Sequence, residues 1–372
     1  MTERVKQGIK AVGQDAPLAV RGGKRLPGAG IERILIRGTN WIGDVVMTLP
    51  AVAAIRKTWP GARLSVLAKP WVSEIYRLSP DVDEVIVFKE PGHHAGIRGK
   101  LRLAGELRKN TFDCAILLQN AVEAAILARL AGIPLCAGYN SDGRGLLLSH
   151  SVRRTRAVRQ VHQIDYYLEM VRALGCAPTG RSVQLHPGDD YGGVAEKLFN
   201  EYGLEPGRTL LGLAPGAAYG PAKKWFPERF AAVADRLIDD TGAQAILFGS
   251  GGDKESTKAV TRNARHRLID IAGKTNLKEA IALISRCALF LSNDSGLMHV
   301  AGALGIPTVA IFGSTNPVTT SPVGEKSIVI HRDVPCSPCL KPVCPTDFRC
   351  MDLIGADEVY GAARVLLQGQ KG

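Results

Sequence analysis

The chain has 372 residues, of which 45% are hydrophobic and 22% charged. That balance excludes a disordered chain, a collagen and a coiled coil, and the length suits two domains of roughly 100–200 residues each. The 47 Lys and Arg against 35 Asp and Glu leave a net charge of +12. Such an excess suits an acidic partner: nucleic acid, an anionic membrane surface or a phosphorylated substrate. Aromatic residues make up only 6% and are not interleaved with basic runs, which argues against nucleic acid, whose single strands need rings for base stacking. No apolar stretch approaches the ~20 residues of a membrane-spanning helix. The opening MTERVKQGIKAVGQ lacks the apolar region of a secretory signal, so the expected location is the cytoplasm.

Residues 1–30, rich in glycine and scattered basic residues, read as a flexible tail, with the fold beginning at Ile31. From there short β-branched runs alternate with longer helical stretches. Strands are predicted at Ile34–Arg37, Leu64–Leu67, Val85–Phe88, Cys114–Leu118 and Leu146–Val152. Between them lie helical stretches at Asp44–Thr58, Trp71–Leu78, Lys100–Lys109 and Ala121–Ala131. A helix at Gln163–Leu174 leads to a linker at Ala177–Gly188, after which the pattern restarts. The second half predicts strands at Leu210–Ala214, Ala245–Phe248, Leu268–Ile271, Leu289–Ser292 and Thr308–Ile311. Its helices fall at Pro227–Asp240, Asp253–Asn263, Leu277–Arg286 and Gly296–Leu304. Strand–helix alternation of this kind predicts two α/β domains, each a doubly wound parallel sheet, over 31–180 and 181–372. Ligands of such sheets bind beyond the carboxyl ends of the strands, and the cleft between two facing domains is the expected site.

The first strand–turn–helix runs Gly38-Thr-Asn-Trp-Ile-Gly43-Asp44. It lacks the Gly-x-Gly-x-x-Gly dinucleotide fingerprint, which speaks against a nicotinamide dehydrogenase. Gly38 and Gly43 have the spacing of a phosphate loop, but Asp44 stands where that loop needs its lysine. The turn is therefore built to present a carboxylate. Asp44 either caps the following helix or accepts a proton from a hydroxyl, and the two roles are compatible.

Four strand-end loops of the second half carry candidate anion-binding groups. Pro215–Trp225 combines small residues with Lys223 and Lys224, a pair that is either solvated or aimed at an anion. The glycine-rich turn holding Gly249 and Asp253 is either a plain turn or a contact for an adenosine. In Asn293-Asp294-Ser295-Gly296-Leu297-Met298-His299, Ser295 and Gly296 open a helix whose N–H groups form an anion cradle, with Asp294 beside it for sugar hydroxyls. His299 is either part of that site or a structural histidine. Gly313–Pro317 completes the set as anion loop or turn.

Four of the eight cysteines, Cys336, Cys339, Cys344 and Cys350, fall within fifteen residues. Their spacing on a Pro-rich loop suits a closed structural zinc site, with free thiols or a redox-labile pair as alternatives. Cys114, Cys136, Cys176 and Cys287 read as small buried residues.

Taken together, GDVVMTLPAVAAIRKTWP, APGAAYGPAKKW and SNDSGLMHVAGALGIPTVAIFGSTNP resemble glycosyltransferase family 9, the ADP-heptose:lipopolysaccharide heptosyltransferases, with the second segment most like its heptosyltransferase II branch. The resemblance covers nearly the whole chain from Ile31. It implies a GT-B fold: two Rossmann-like domains facing across a cleft, the acceptor held by the N-terminal one and the nucleotide-sugar by the C-terminal one. The last helix is allowed to pack back on the N-terminal domain. It implies transfer of L-glycero-D-manno-heptose from ADP-heptose, with inversion, to the heptosyl-Kdo2-lipid A inner core of lipopolysaccharide. Asp44 then matches the general base, and Lys223 the lysine that meets the donor phosphates or heptose, with Lys224 its neighbour. Asp294, Ser295, Gly296 and Leu297 match the donor-binding helix start, which His299 completes. No cofactor is expected for catalysis. The arginines Arg153, Arg154 and Arg156 are expected to dock the anionic acceptor or the inner-membrane surface, at whose cytoplasmic face the chain would work. The alternatives are a GT-B transferase of another nucleotide-sugar and a non-catalytic nucleotide-sugar-binding protein.

Overall fold

The computed structural model describes residues 25–369 apart from Thr179. The tail expected over 1–30 therefore lies mostly outside the described residues. Its last residues are held: Leu26 is 6% exposed, its N–H donates to the Leu174 carbonyl (3.0 Å), and Trp59 Nε1 donates to the Pro27 carbonyl (3.1 Å). Packing thus begins before Ile31. The chain divides into two compact units between Val183 and Gln184.

Unit 1 runs through β1 (Arg33–Arg37), α1 (Ile42–Thr58), β2 (Arg63–Ala68), α2 (Ser73–Arg77), β3 (Glu84–Val87), α3 (Gly96–Arg108), β4 (Cys114–Leu117), α4 (Val122–Leu130), β5 (Leu135–Tyr139), β6 (His150–Val152) and α5 (Gln163–Ala173). All six strands are parallel, in the order β3-β2-β1-β4-β5-β6. Helices cover both faces, which is why the central strands are apolar on both sides. On β1, Ile34 and Ile36 are fully buried on one face, while Leu35 enters the opposite core with Leu67, Leu103, Leu107 and Ala125. The predicted strand at Leu146–Val152 is only His150–Val152. A strand at Leu135–Tyr139 went unpredicted, because Leu-Cys-Ala-Gly-Tyr has neither a β-branched residue nor a run of large apolar ones to mark it.

Unit 2 runs through α6 (Asp189–Tyr202), β7 (Leu210–Ala214), α7 (Pro227–Thr241), β8 (Gln244–Leu247), α8 (Lys254–Asn263), β9 (Leu268–Asp270), α9 (Leu277–Ile284), β10 (Leu289–Asn293), α10 (Gly296–Ala303), β11 (Thr308–Phe312), α11 (Pro317–Thr320), β12 (Ser327–His331), α12 (Arg349–Asp352) and α13 (Ala356–Gln368). Its parallel sheet has the order β12-β11-β10-β7-β8-β9. Read from the other edge, this is the third-second-first-fourth-fifth-sixth succession of unit 1. Both sheets therefore have the Rossmann order, with a topological switch between the first and fourth strands.

Helix α7 shows how the sequence sets this unit. Pro227 opens it at a position where no N–H is needed, and Gly242 closes it in the left-handed region (φ 66°). Phe230, Val233, Ala234, Leu237 and Ile238 recur at helical spacing and are buried against Leu211, Leu213, Leu289 and Leu291. The last helix, α13, adds Val359 and Ala363 to this same core. Helix α6 begins where the predicted linker ends; its Gly192-Gly193 pair weakens the helical signal in the sequence.

Candidate active site

In unit 1 the switch lies between β1 and β4. Gly38 leaves β1 and donates its N–H to the Leu67 carbonyl (3.1 Å). A Cβ there would lie 2.6 Å from the Tyr76 hydroxyl, so only glycine fits. The turn is fastened from below by Arg37, 3% exposed, whose guanidinium donates to Asn40 Oδ1 (3.0 Å) and to the Leu67 carbonyl (3.2 Å). Burial pulls the Arg37 pKa down to about 10, still charged near neutrality.

Helix α1 then starts at Ile42 with Trp41 as its cap residue, so Asp44 is not the cap. It sits in the first turn, half-buried, where the helix dipole favours a carboxylate. Its charge reaches buried Tyr167, whose hydroxyl is pushed well up, first by burial and next by Asp44. Val45 through Ile55 of α1 are nearly all buried, so the carboxylate rides on a helix locked into the core.

The other carboxyl ends of this sheet are polar as well. Lys69, after β2, pairs with Glu90 at 2.6 Å and stands 3.6 Å from the Phe88 ring centroid. The Lys69 hydrogen bond holds the Glu90 carboxyl below its usual range. After β6, Arg153, Arg154 and Arg156 are all exposed; the Arg154 N–H donates to Asn140 Oδ1 (2.9 Å) and its guanidinium lies 5.6 Å from the Tyr166 ring. The charges of α3 are partly neutralised, since Lys100 pairs with Glu123 at 3.3 Å.

In unit 2 the switch lies between β7 and β10, and it brings the expected residues together. The Pro215–Trp225 loop is closed at both ends by Asn293: its Nδ2 donates to the Pro215 carbonyl (2.7 Å), and its Oδ1 accepts the Trp225 N–H (3.0 Å). Lys223 Nζ meets Asp294 Oδ2 at 2.6 Å, and Thr315 Oγ1 donates to the same oxygen at 2.6 Å. Both side chains of the pair are largely withdrawn from water, 15% exposed for Lys223 and 6% for Asp294. Ser295 caps α10, accepting the Met298 N–H, and it shares a hydrogen bond with Ser292. Ser295, Gly296 and Leu297 remain half-buried at the helix start, whereas His299 is 3% exposed inside the helix. A lysine, a helix N-terminus and hydroxyls thus converge where an anion would be stabilised.

The neighbouring candidates diverge. Lys224 turns away from Lys223, donates to Ser256 Oγ (2.9 Å) and lines a cavity of about 240 Å³ with Pro215, Trp225 and Phe348. The Asp253 carboxylate accepts the Ser250 N–H (2.9 Å) and hydroxyl (2.7 Å). It lies against Gly216 and Gly249, where a Cβ on Gly216 would come within 2.2 Å of it. Asp253 therefore fastens its own turn and packs against the one after β7.

The four clustered cysteines line one cavity of about 70 Å³ with Ser314, Lys341 and Arg349. Among the described residues, the group whose ligand atoms all come within 4.8 Å of one another is instead His93, His94 and Glu106. There His94 Nδ1 accepts the Lys89 N–H (3.1 Å), so Nε2 carries the proton and faces Glu106 (3.1 Å). That is a hydrogen-bonded pair, not a ready metal ligand. Cys114, Cys136, Cys176 and Cys287 are buried as expected, and burial pushes the thiols of Cys136 and Cys176 up to about 11.

Sequence reasoning missed Arg37 and Asn293. The only signal for either was position, at the carboxyl end of a strand beside a residue already singled out.

Comparison with known proteins identifies the family. The model of glycosyltransferase family 9 (heptosyltransferase) matches residues 100–348. Lipopolysaccharide heptosyltransferase 2 of Escherichia coli is 32% identical over 311 residues, 80% of this chain and 88% of the relative. Its Salmonella typhimurium counterpart is 32% identical over 312 residues, with the same coverage. Among solved structures, E. coli ADP-heptose lps heptosyltransferase II superposes with a TM-score of 0.77 at 27% identity, covering 91% of this chain and 100% of that one. A family 9 glycosyl transferase from Veillonella parvula gives 0.81 at 26% identity, covering 91% and 98%. The fold is that of a GT-B glycosyltransferase. The chain belongs to glycosyltransferase family 9.

Proposed function

We propose that this enzyme transfers L-glycero-D-manno-heptose from ADP-heptose to the heptosyl-Kdo2-lipid A inner core of lipopolysaccharide, with inversion. Unit 1 serves as the acceptor half and unit 2 as the donor half. The observation that carries the reading is the Lys223–Asp294 pair beside the start of α10, a preformed site for a diphosphate that carries a sugar. The similarity to heptosyltransferases named for that donor supports the choice of sugar.

The chemistry is one displacement. An acceptor hydroxyl oxygen bonds to the anomeric carbon as the bond from that carbon to the ADP oxygen breaks. The hydroxyl proton passes to Asp44, a group of the kind that contributes about 10²–10⁴-fold as a general base. The charge that grows on the departing ADP is met by Lys223 and by the N–H groups of Gly296 and Leu297. Asp294 orients Lys223 and offers its carboxylate to the heptose hydroxyls. Gly249 and Asp253 border the adenosine, the latter by shaping the turn, and Lys224 and His299 support the donor loops from behind.

No helix among the described residues is long and apolar enough to cross a membrane. The enzyme works at the cytoplasmic face of the inner membrane, where Arg153, Arg154 and Arg156 meet the phosphates and carboxylates of the acceptor. Cys336, Cys339, Cys344 and Cys350 hold a structural metal ion, a reading extended below.

The test is ADP release on mixing the protein with ADP-heptose and heptosyl-Kdo2-lipid A. Turnover that requires both substrates supports the reaction. ADP binding without transfer would move the reading to another nucleotide-sugar or acceptor. Replacing Arg153, Arg154 and Arg156 by glutamine is expected to raise the acceptor KM while leaving the donor KM unchanged.

A further inference from the structure

The donor-site lysine is held by the segment that carries the four cysteines. Between Cys339 and Cys344, the Leu340 carbonyl accepts the Tyr219 hydroxyl (2.6 Å) and the Pro342 carbonyl accepts the Ala222 N–H (2.9 Å). Gly220 packs so closely that a Cβ would come within 2.3 Å of the Pro342 oxygen. These contacts grip Tyr219 to Ala222, the residues that lead directly into Lys223. The Tyr219 ring also lies 5.2 Å from Lys223 Nζ, within cation–π range. The same segment is pinned to the loop after β11: the Leu340 N–H donates to the Ser314 carbonyl (2.8 Å) and Ser337 Oγ to the Gly313 carbonyl (2.7 Å). Thr315, next in the chain, donates to Asp294. Both members of the Lys223–Asp294 pair are therefore reached from this one strap.

The strap is anchored in the core only at its ends, by Val334 and Cys350. Leu340 is 58% exposed and Val343 61%. No disulfide joins its cysteines. Yet Cys336, Cys339, Cys344 and Cys350 all face one cavity. Four sulfurs form the donor set of a tetrahedral thiolate site. Lys341 and Arg349 line the same cavity. The cysteine sulfurs do not form a group within 4.8 Å of one another, so binding would have to draw them together. Binding would release the thiol protons to water.

We propose that the four cysteines bind one thiolate-coordinated metal ion, and that this ion positions Lys223 for the donor by rigidifying the Leu340–Pro342 clasp. The second half rests on the donor-site reading given above; the first does not.

The experiment uses the full chain, purified under reducing conditions. Metal content is measured for zinc and iron, and Co²⁺ is added to protein stripped by a chelator. ADP affinity is measured with and without the ion. The expected results are about one equivalent of metal and, with Co²⁺, the intense visible absorption of tetrahedral thiolate coordination. Both should be lost in Cys339→Ser and in Cys344→Ser. Stripping should weaken ADP binding about tenfold, the scale of supporting interactions around a site, and re-addition of the ion should restore it. Tyr219→Phe should keep the metal and weaken ADP, separating the clasp from general unfolding. Metal-free protein that also gives no cobalt spectrum overturns the site. Bound metal whose removal leaves ADP affinity unchanged overturns the coupling. Metal-loaded protein that binds no ADP at all contradicts the donor-site reading and leaves the metal site standing.

Discussion

The two sheets share one strand order, yet their switch points carry opposite chemistry. At the first, the turn after β1 ends in Asp44, a carboxylate in the first turn of a helix buried along its length. At the second, the loop after β7 delivers Lys223 onto Asp294, beside the N-terminus of α10. The backbone plan is common and the side chains differ. On the function proposed above, the first takes a proton and the second a negative charge. The supports differ too. The first turn is fixed by a single buried arginine, Arg37, and a glycine under Tyr76, while the second is a longer loop that needs Asn293 at its ends and the cysteine strap along its middle.

That contrast can be broken at several points. The largest effect is expected from Asp44→Asn, which should lower the transfer rate by about a hundredfold or more, read as ADP release. Lys223→Met comes next. It leaves the Asp294 carboxylate, 6% exposed, without its cation and should cost about 3 kcal/mol of stability by denaturant unfolding. Adding Asp294→Asn should recover most of that stability and none of the activity. Asn293→Ala removes both ends of the loop clamp and should cost about 2–3 kcal/mol, with a raised donor KM.

The smallest effect concerns Glu90. Its carboxyl is lowered in the folded state, first by the Lys69 hydrogen bond, so the stability it contributes is complete above its unfolded pKa of about 4.3. It is lost as the pH falls through the lower folded value. Glu90→Gln should therefore destabilise by about 1–2 kcal/mol at pH 7, and the difference should vanish in acid. A gap that widened in acid would contradict the assignment of the pair.

The fold class was legible because buried parallel strands announce themselves as β-branched runs between helical stretches. Thr308–Phe312 and Arg33–Arg37 are of this kind. Leu135–Tyr139 was not, since its place in the sheet comes from its neighbours β4 and β6 and not from its own residues. The edge strand Ser327–His331 was passed over despite its β-branched residues, and helix α6 because its Gly192-Gly193 pair weakens the helical signal. Asp44, Lys223 and Asp294 were each readable as chemistry at a strand end. Their partners were not: the Lys223–Asp294 contact spans 71 positions and exists only once β7 lies beside β10. The same holds for Asn293, whose amide looks like any other until the loop it closes is folded. The link from Leu340 and Pro342 to the Lys223 loop likewise crosses more than a hundred residues.

The central claim is that proton acceptance and anion binding are divided between the two switch points. It is tested most directly by measuring ADP affinity for Asp44→Asn and Lys223→Met side by side in calorimetric titrations. The account predicts that Asp44→Asn binds ADP within about twofold of the native protein, as expected of independent sites. Lys223→Met should bind about tenfold more weakly or worse, having lost a charge-assisted contact. Weakened ADP binding in the first variant, or unchanged binding in the second, would contradict it.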